Sequence, residues 1–383
     1  MTTIDSRARA AIRGLTTYQP GTPIDEVKRT LKLSTSGERS RTTVIKLASN
    51  ENALGPSPKA VVALRKATSN LHRYPDATCG VLREKLAKHL NVETSSLLDG
   101  NGSDELIVLA LRAFVDPGDE VVVAQPTFLI YELQANACGA RVRTVPLRNL
   151  RYDLSAMKAA LSPKTKLVFI ANPDNPTGTY VTAKELEAFL RGLPSQVLIV
   201  MDEAYYEFVE ADDYPQTLRY LHNAATCPAS GGVIITRSFS KAYGLAGLRV
   251  GYGVASPAVI RAMDAVREPF NVNSLAQVAA SAALDDRTFL EHTRRLVREG
   301  RTFLTTELTK LGIRLIPSVT NFLLIELGPD AAEVAKQLLA HGVIVREMSA
   351  WKLDGFLRVT IGTMRENRRF IHTLKSVIKG LGD

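Results

Sequence analysis

The stretch VIITRSFSKAYGLAGLRVGY, residues 233–252, opens on an apolar run of strand type and ends it in hydroxyls, one lysine and a loop of small residues. Lys241 stands just past the strand, with Ser238 and Ser240 three and one residues before it and Arg249 eight after. Partial desolvation and a neighbouring cation lower the pKa of an amine and free it to form a Schiff base. Hydroxyls and a guanidinium beside it suit a phosphate. Taken alone, the stretch fits a solvated lysine in a polar loop equally well.

Strands of the same kind recur on either side of it. Residues 120–124 (EVVVA), 140–145, 167–171 (LVFIA), 197–201 (VLIVM) and 250–254 are short, apolar and rich in β-branched residues. Helical stretches separate them: one opened by residues 99–105 and running to about 115, then 128–138 and 184–191. Continuously apolar strands alternating with helices indicate a mostly parallel sheet covered on both faces, so the fold class is α/β. Upstream, Ser57 is placed to cap a helix with Pro58 at its first position. Past Glu268 the rhythm changes to helices at 274–284 and 287–311, then to shorter strands at 322–326, 343–346 and 356–361. That pattern predicts a smaller α+β domain. The expected division is an N-terminal arm over 1–45, a large domain over 46–272 and a small C-terminal domain over 273–383.

At 383 residues, two lobes are the default. Hydrophobic content of 45% and charged content of 23% are ordinary for a globular chain with a large core. The net charge of +9 leans towards small anionic partners. The bases are scattered among acids and aromatics are 6%, which argues against nucleic acid. Cys79, Cys138 and Cys227 make neither a disulfide framework nor a metal motif. No signal peptide is evident, and no run approaches the roughly 18 apolar residues of a membrane span. The expected location is the cytoplasm.

In open α/β sheets ligands sit beyond the carboxyl ends of the strands. Three strand ends here carry unusual polar groups: Asn172-Pro173-Asp174-Asn175-Pro176-Thr177-Gly178, then Asp202-Glu203-Ala204-Tyr205, then the lysine loop. Together they offer an amide, a carboxylate, a phenol and an amine to one pocket. Gly100-Asn101-Gly102 lacks the GxGxxG spacing of a dinucleotide loop, and no strong strand is expected before it.

In this order, the NPDNPTG, DEAY and SFSKAYGLAGLR segments resemble the signature of the fold type I pyridoxal-phosphate aminotransferases. The resemblance implies pyridoxal 5'-phosphate as cofactor, with Lys241 forming its Schiff base and Asp202 beside the pyridine nitrogen. Asn175 and Tyr205 match donors to the ring oxygen, and Phe128 matches the aromatic that stacks on the ring, where tyrosine is common. Ser238, Ser240 and Arg249 match phosphate ligands, joined by the Gly102-Ser103-Asp104 turn that opens a helix. Further segments (LASNENALGPSP, RYPDATCGVLREKLA, GNGSDELI and the 357–362 end) are similar to histidinol-phosphate aminotransferases. That likeness implies a homodimer in which Tyr74 reaches the partner subunit's cofactor phosphate. It also implies that Arg346, Arg358 and Tyr18, with Asn175, meet the substrate, and that the reaction pairs L-histidinol phosphate with 2-oxoglutarate. Glu347 departs from the aspartate more usual after the first arginine. An aromatic amino-acid aminotransferase, an O-phospho-amino-acid decarboxylase and a non-enzymatic module keeping the fold remain open on the same motifs.

Overall fold

Strands β1 (Ile45–Lys46), β2 (Leu97–Gly100), β3 (Glu120–Gln125), β4 (Arg141–Pro146), β5 (Thr165–Ala171), β6 (Leu198–Asp202), β7 (Val233–Ser238) and β8 (Gly251–Val254) carry the first part of the chain. The computed structural model describes residues 7–15, 17–18, 21, 23–30, 44–221 and 232–382. Gln19, Pro20, the polar stretch 32–43 and Cys227 lie outside the described residues.

Seven strands form one sheet in the order β2-β8-β7-β6-β5-β3-β4. β7, β6, β5, β3 and β4 pair in parallel, whereas β8 runs antiparallel to both β7 and β2. Val168, Phe169, Ile170, Ile199 and Val200 have no exposure, because helices cover both faces. Helix Ser103–Phe114 turns Leu106, Ile107, Ala110 and Leu111 inward, and helix Ala183–Leu190 starts at a full capping box between Thr182 and Glu185. The expected Ser57 cap is present, accepting from the Ala60 N–H. β2 was not expected. It is four residues long, half of them Asp and Gly, and it forms because β8 supplies a full antiparallel register from Leu97↔Val254 to Gly100↔Gly251.

Beyond the large sheet lie β9 (Arg314–Ile316), β10 (Phe322–Glu326), β11 (Val343–Ile344), β12 (Arg346–Glu347) and β13 (Phe356–Thr360). Four of them make an antiparallel sheet in the order β12-β13-β10-β9, packed on helices Arg287–Lys310, Ala331–Ala340 and Met364–Gly382. The single strand expected over 343–346 is split. β11 pairs in parallel with β1, and β12 joins the second sheet. Helix Ser274–Leu284 packs Ala276, Ala279, Ala280 and Ala283 into the core of the large sheet, beside helices Pro58–Ala67 and Gly80–Leu90. That core therefore draws on residues beyond 272.

One ion pair is fully enclosed beside β6 and β7. Arg237 donates from Nε to Glu203 Oε2 at 2.9 Å, Thr217 donates to Glu203 Oε1 at 2.6 Å, and the guanidinium lies 3.5 Å from the Tyr206 ring centroid. Removing one member of such a pair strands the other charge in a dry interior. Glu203→Ala is expected to lower the unfolding free energy by about 3–5 kcal/mol in urea titrations. A loss below about 1 kcal/mol would mean that Arg237 finds water or another partner.

Candidate active site

A cavity of about 260 Å³ opens at the carboxyl edge of the large sheet and is closed on its far side by β12 and β13. Asp202, the last residue of β6, forms its floor and is 6% exposed. Tyr131 donates its hydroxyl to Asp202 Oδ2 at 2.6 Å and the Ala204 N–H reaches Oδ1 at 3.2 Å. No cation pairs with this carboxylate among the described residues. Burial pushes its pKa up to about 6 against the pull of the Tyr131 hydrogen bond.

Lys241 faces the same space from the loop after β7. Its Nζ donates to the Ser49 carbonyl at 3.3 Å and lies 5.7 Å from the Tyr205 ring centroid. Burial, then the nearby Arg358 charge, lower its pKa to about 8. Tyr205 accepts a 2.9 Å hydrogen bond from Asn50 Nδ2, which leaves its own hydroxyl hydrogen to donate elsewhere. Asn175 accepts from Arg358 Nη1, so its amide N–H groups remain for the cavity. Phe128, just beyond β3, offers a ring set edge-to-face on Tyr131 at 5.6 Å.

Two corners of the cavity favour anions. At one, helix Ser103–Phe114 points its first turn inwards beside Ser238, Ser240 and Arg249. Arg249 donates to Ser240 Oγ at 3.3 Å and pairs with Asp104 at 3.2 Å. The Asp104 carboxylate is thereby engaged, and what this residue offers an anion is its backbone N–H. Gly102 has φ of +79°, and a Cβ there would fall 2.4 Å from Arg249 Nη2. Only glycine lets the guanidinium come this close.

At the other corner Arg358 is 5% exposed. It donates from Nη2 to the Ala48 carbonyl at 2.9 Å, while its buried Nε finds no acceptor among the described residues. Arg346 stands directly across from it in the β12–β13 register. Trp351 underlies both guanidiniums, at 5.0 Å from Arg346 and 5.8 Å from Arg358, and meets the Tyr18 ring edge-on at 6.5 Å. Tyr18, itself 40% exposed, forms the rim.

The sequence-derived residues thus converge, with two exceptions. Gly102 stands behind the wall and acts through Arg249. Tyr74 lies outside the cavity, 82% exposed and stacked on Phe270 at 4.7 Å. Tyr131, Asn50 and Trp351 were missed as site residues. Tyr131 follows Phe128 by three and reads as a core helix position, whereas Asn50 stands in a run already dense in polar side chains. The lone tryptophan of the chain carried no motif.

Residues 42–374 match the family model for aminotransferase class I and II. A histidinol-phosphate aminotransferase of Moorella thermoacetica is 48% identical over 97% of this chain and 93% of its own. That of Brevibacillus brevis is 47% identical over 95% and 96%. The crystal structure of a histidinol-phosphate aminotransferase from Sinorhizobium meliloti, in complex with pyridoxal-5'-phosphate, superposes with a TM-score of 0.85 at 29% identity, covering 98% of both chains. By this match along nearly its whole length, the chain belongs to the class I and II aminotransferases and, among them, to the histidinol-phosphate aminotransferase family.

Proposed function

We propose that this chain transfers the amino group of L-histidinol phosphate to 2-oxoglutarate, giving imidazole-acetol phosphate and L-glutamate, with pyridoxal 5'-phosphate as cofactor. The observation that carries this is unbalanced charge within one cavity: Asp202 has no cation, and the buried Nε of Arg358 has no acceptor, among the described residues. The residues fit the cofactor. A buried carboxylate suits a protonated ring nitrogen, a desolvated amine suits a carbonyl carbon, and the helix N-terminus with its hydroxyls and guanidinium suits a phosphate. The relatives named above carry histidinol phosphate in their names, and 2-oxoglutarate is the acceptor that the sequence resemblance implies.

When bound, pyridoxal phosphate supplies an electron sink for the pair left on the substrate carbon. Asp202 would hold the ring nitrogen's proton, with the Tyr131 hydrogen bond favouring the ionised carboxylate. Lys241 Nζ, neutral once freed, would take the proton from the substrate α-carbon and serve as the acid that gives it back. Tyr205 and Asn175 would donate to the ring oxygen, Phe128 would cover a ring face, and Ser238, Ser240 and Arg249 would hold the phosphate. Arg346 and Arg358 bind the substrate's anionic group, and Tyr18 screens it from water. The chain would work as a cytoplasmic homodimer. Support for the dimer lies in the exposed Tyr74–Phe270 pair and in Val62, Leu71 and Val81, all exposed. No described helix is long and apolar enough to cross a membrane. A large lobe from residue 46 and a small C-terminal lobe complete the proposal.

A substrate panel with cofactor absorbance tests the reaction. The expected result is higher kcat/KM for histidinol phosphate than for phenylalanine, and activity that depends on a keto acid. A preference for phenylalanine, or carbon dioxide release without keto acid, would overturn it. Lys241→Ala should abolish the lysine-linked absorbance and cut turnover by about 10³-fold or more.

The Lys241 amine also sets a pH dependence. Because its folded pKa is lowered to about 8, the neutral nucleophile accumulates as pH rises through that value. Capture of added pyridoxal phosphate by cofactor-free protein should therefore accelerate with a midpoint near pH 8 and level off about a unit above it, with stopped-flow absorbance as the check. A midpoint near the ordinary lysine value would contradict the burial of the amine. Tyr131→Phe removes the donor that favours the Asp202 carboxylate, so the acid limb of the kcat/KM profile should move to higher pH. An unmoved limb would take Tyr131 out of the proposed mechanism.

A further inference from the structure

β12 and β13 set Arg346 and Arg358 directly opposite each other, and such residues of an antiparallel pair leave the same face of the sheet. Two like charges so placed repel: burial lowers the pKa of Arg358, and the Arg346 charge adds to that lowering. The connection between the two strands then turns back on itself. Glu347 accepts from the Ser349 N–H at 2.8 Å and from its hydroxyl at 2.6 Å, and this closed turn delivers Trp351 beneath both guanidiniums. Trp351 is held in turn by Ile316, Leu324, Met348 and Leu353, with Leu129 of the large lobe packed against that cluster. Of the aromatic rings, tryptophan attracts a cation most strongly.

Resting on the proposed function, we propose that Trp351 is a positioning residue for the substrate's anionic group. Its ring keeps two mutually repelling guanidiniums together as one receptor. Two adjacent fixed cations favour a group carrying two negative charges over one carrying a single charge. A phosphate monoester, with its second pKa about 6, is such a group at neutral pH. Trp351 therefore sets the preference for a phosphate-bearing amino donor over one with only a carboxylate.

The test uses the cofactor-loaded enzyme and its Trp351→Phe and Trp351→Leu variants, each checked for unchanged cofactor absorbance. Inorganic phosphate serves as a competitive probe beside histidinol phosphate and phenylalanine. Trp351→Leu should raise the phosphate Ki and the histidinol phosphate KM by about tenfold, with kcat changing far less. The KM for phenylalanine should rise less. Trp351→Phe, which keeps a ring face, should recover most of the loss. Unchanged Ki and KM in Trp351→Leu, or equal rises for both donors, would overturn the assignment. Should the leucine variant not hold cofactor, the emission of the wild-type enzyme decides. Wild-type emission gives an independent measure, because Trp351 is the chain's sole tryptophan. Inorganic phosphate should change it saturably, with a Kd matching the Ki, and an emission indifferent to phosphate would sink the proposal. If histidinol phosphate is not turned over, the proposed reaction falls, while the inhibition and emission measurements still judge Trp351.

Discussion

Asp202 is a carboxylate taken out of water, bonded by a phenol and a backbone N–H and balanced by no cation among the described residues. Everything around the cavity follows from that imbalance. A group in this position either gives up its charge or waits for an opposite one, and the pKa pushed up to about 6 records the tension. Lys241 shows the converse, an amine whose charge is disfavoured by burial and by the Arg358 guanidinium. The chain leaves its complementary charges apart, to be joined only through a ligand.

The neighbouring residue shows what the same edge does when no ligand is needed. Glu203 follows Asp202 directly, yet it is closed off with Arg237, Thr217 and the Tyr206 ring. Alternation at the ends of β6 and β7 sends one set of side chains to the cavity and the other to the interior. The satisfied pair holds the two strands together behind the unsatisfied one. The glycine at 102 extends this division of labour, since it admits Arg249 to the helix N-terminus without touching a ligand itself.

Much of this was legible in the residues because buried parallel strands read as unbroken apolar runs and the polar residues that end them stand out. Asn175, Asp202, Tyr205 and Lys241 each follow such a run, and each lines the cavity. What escaped depends on pairing rather than on local pattern. β2 exists because β8 supplies its hydrogen bonds, and residues 343–347 divide between two sheets because β1 claims the first half. Tyr131 has the burial and helical position of a core residue, and only its hydroxyl's 2.6 Å contact with Asp202 distinguishes it. Trp351 meets Arg346, Arg358 and Tyr18 through ring geometry, which leaves no mark on sequence spacing.

The two-stranded pair of β1 with β11 has a bearing on how the protein comes into being. Ile45 and Lys46 add to Val343 and Ile344, Leu47 accepts from the Thr360 N–H, and the Ala48 carbonyl holds Arg358 across a separation of 310 residues. During synthesis the carboxyl edge of the large sheet, with Lys241 and Asp202, emerges well before residues 343–360. The segment around Ala48 must wait through most of translation for its partners. Non-local pairings of this kind close late and slowly. Of the residues that line the cavity, Arg346 and Arg358 are therefore the last to be synthesised, and the grip on an anionic substrate is written at the end of the chain.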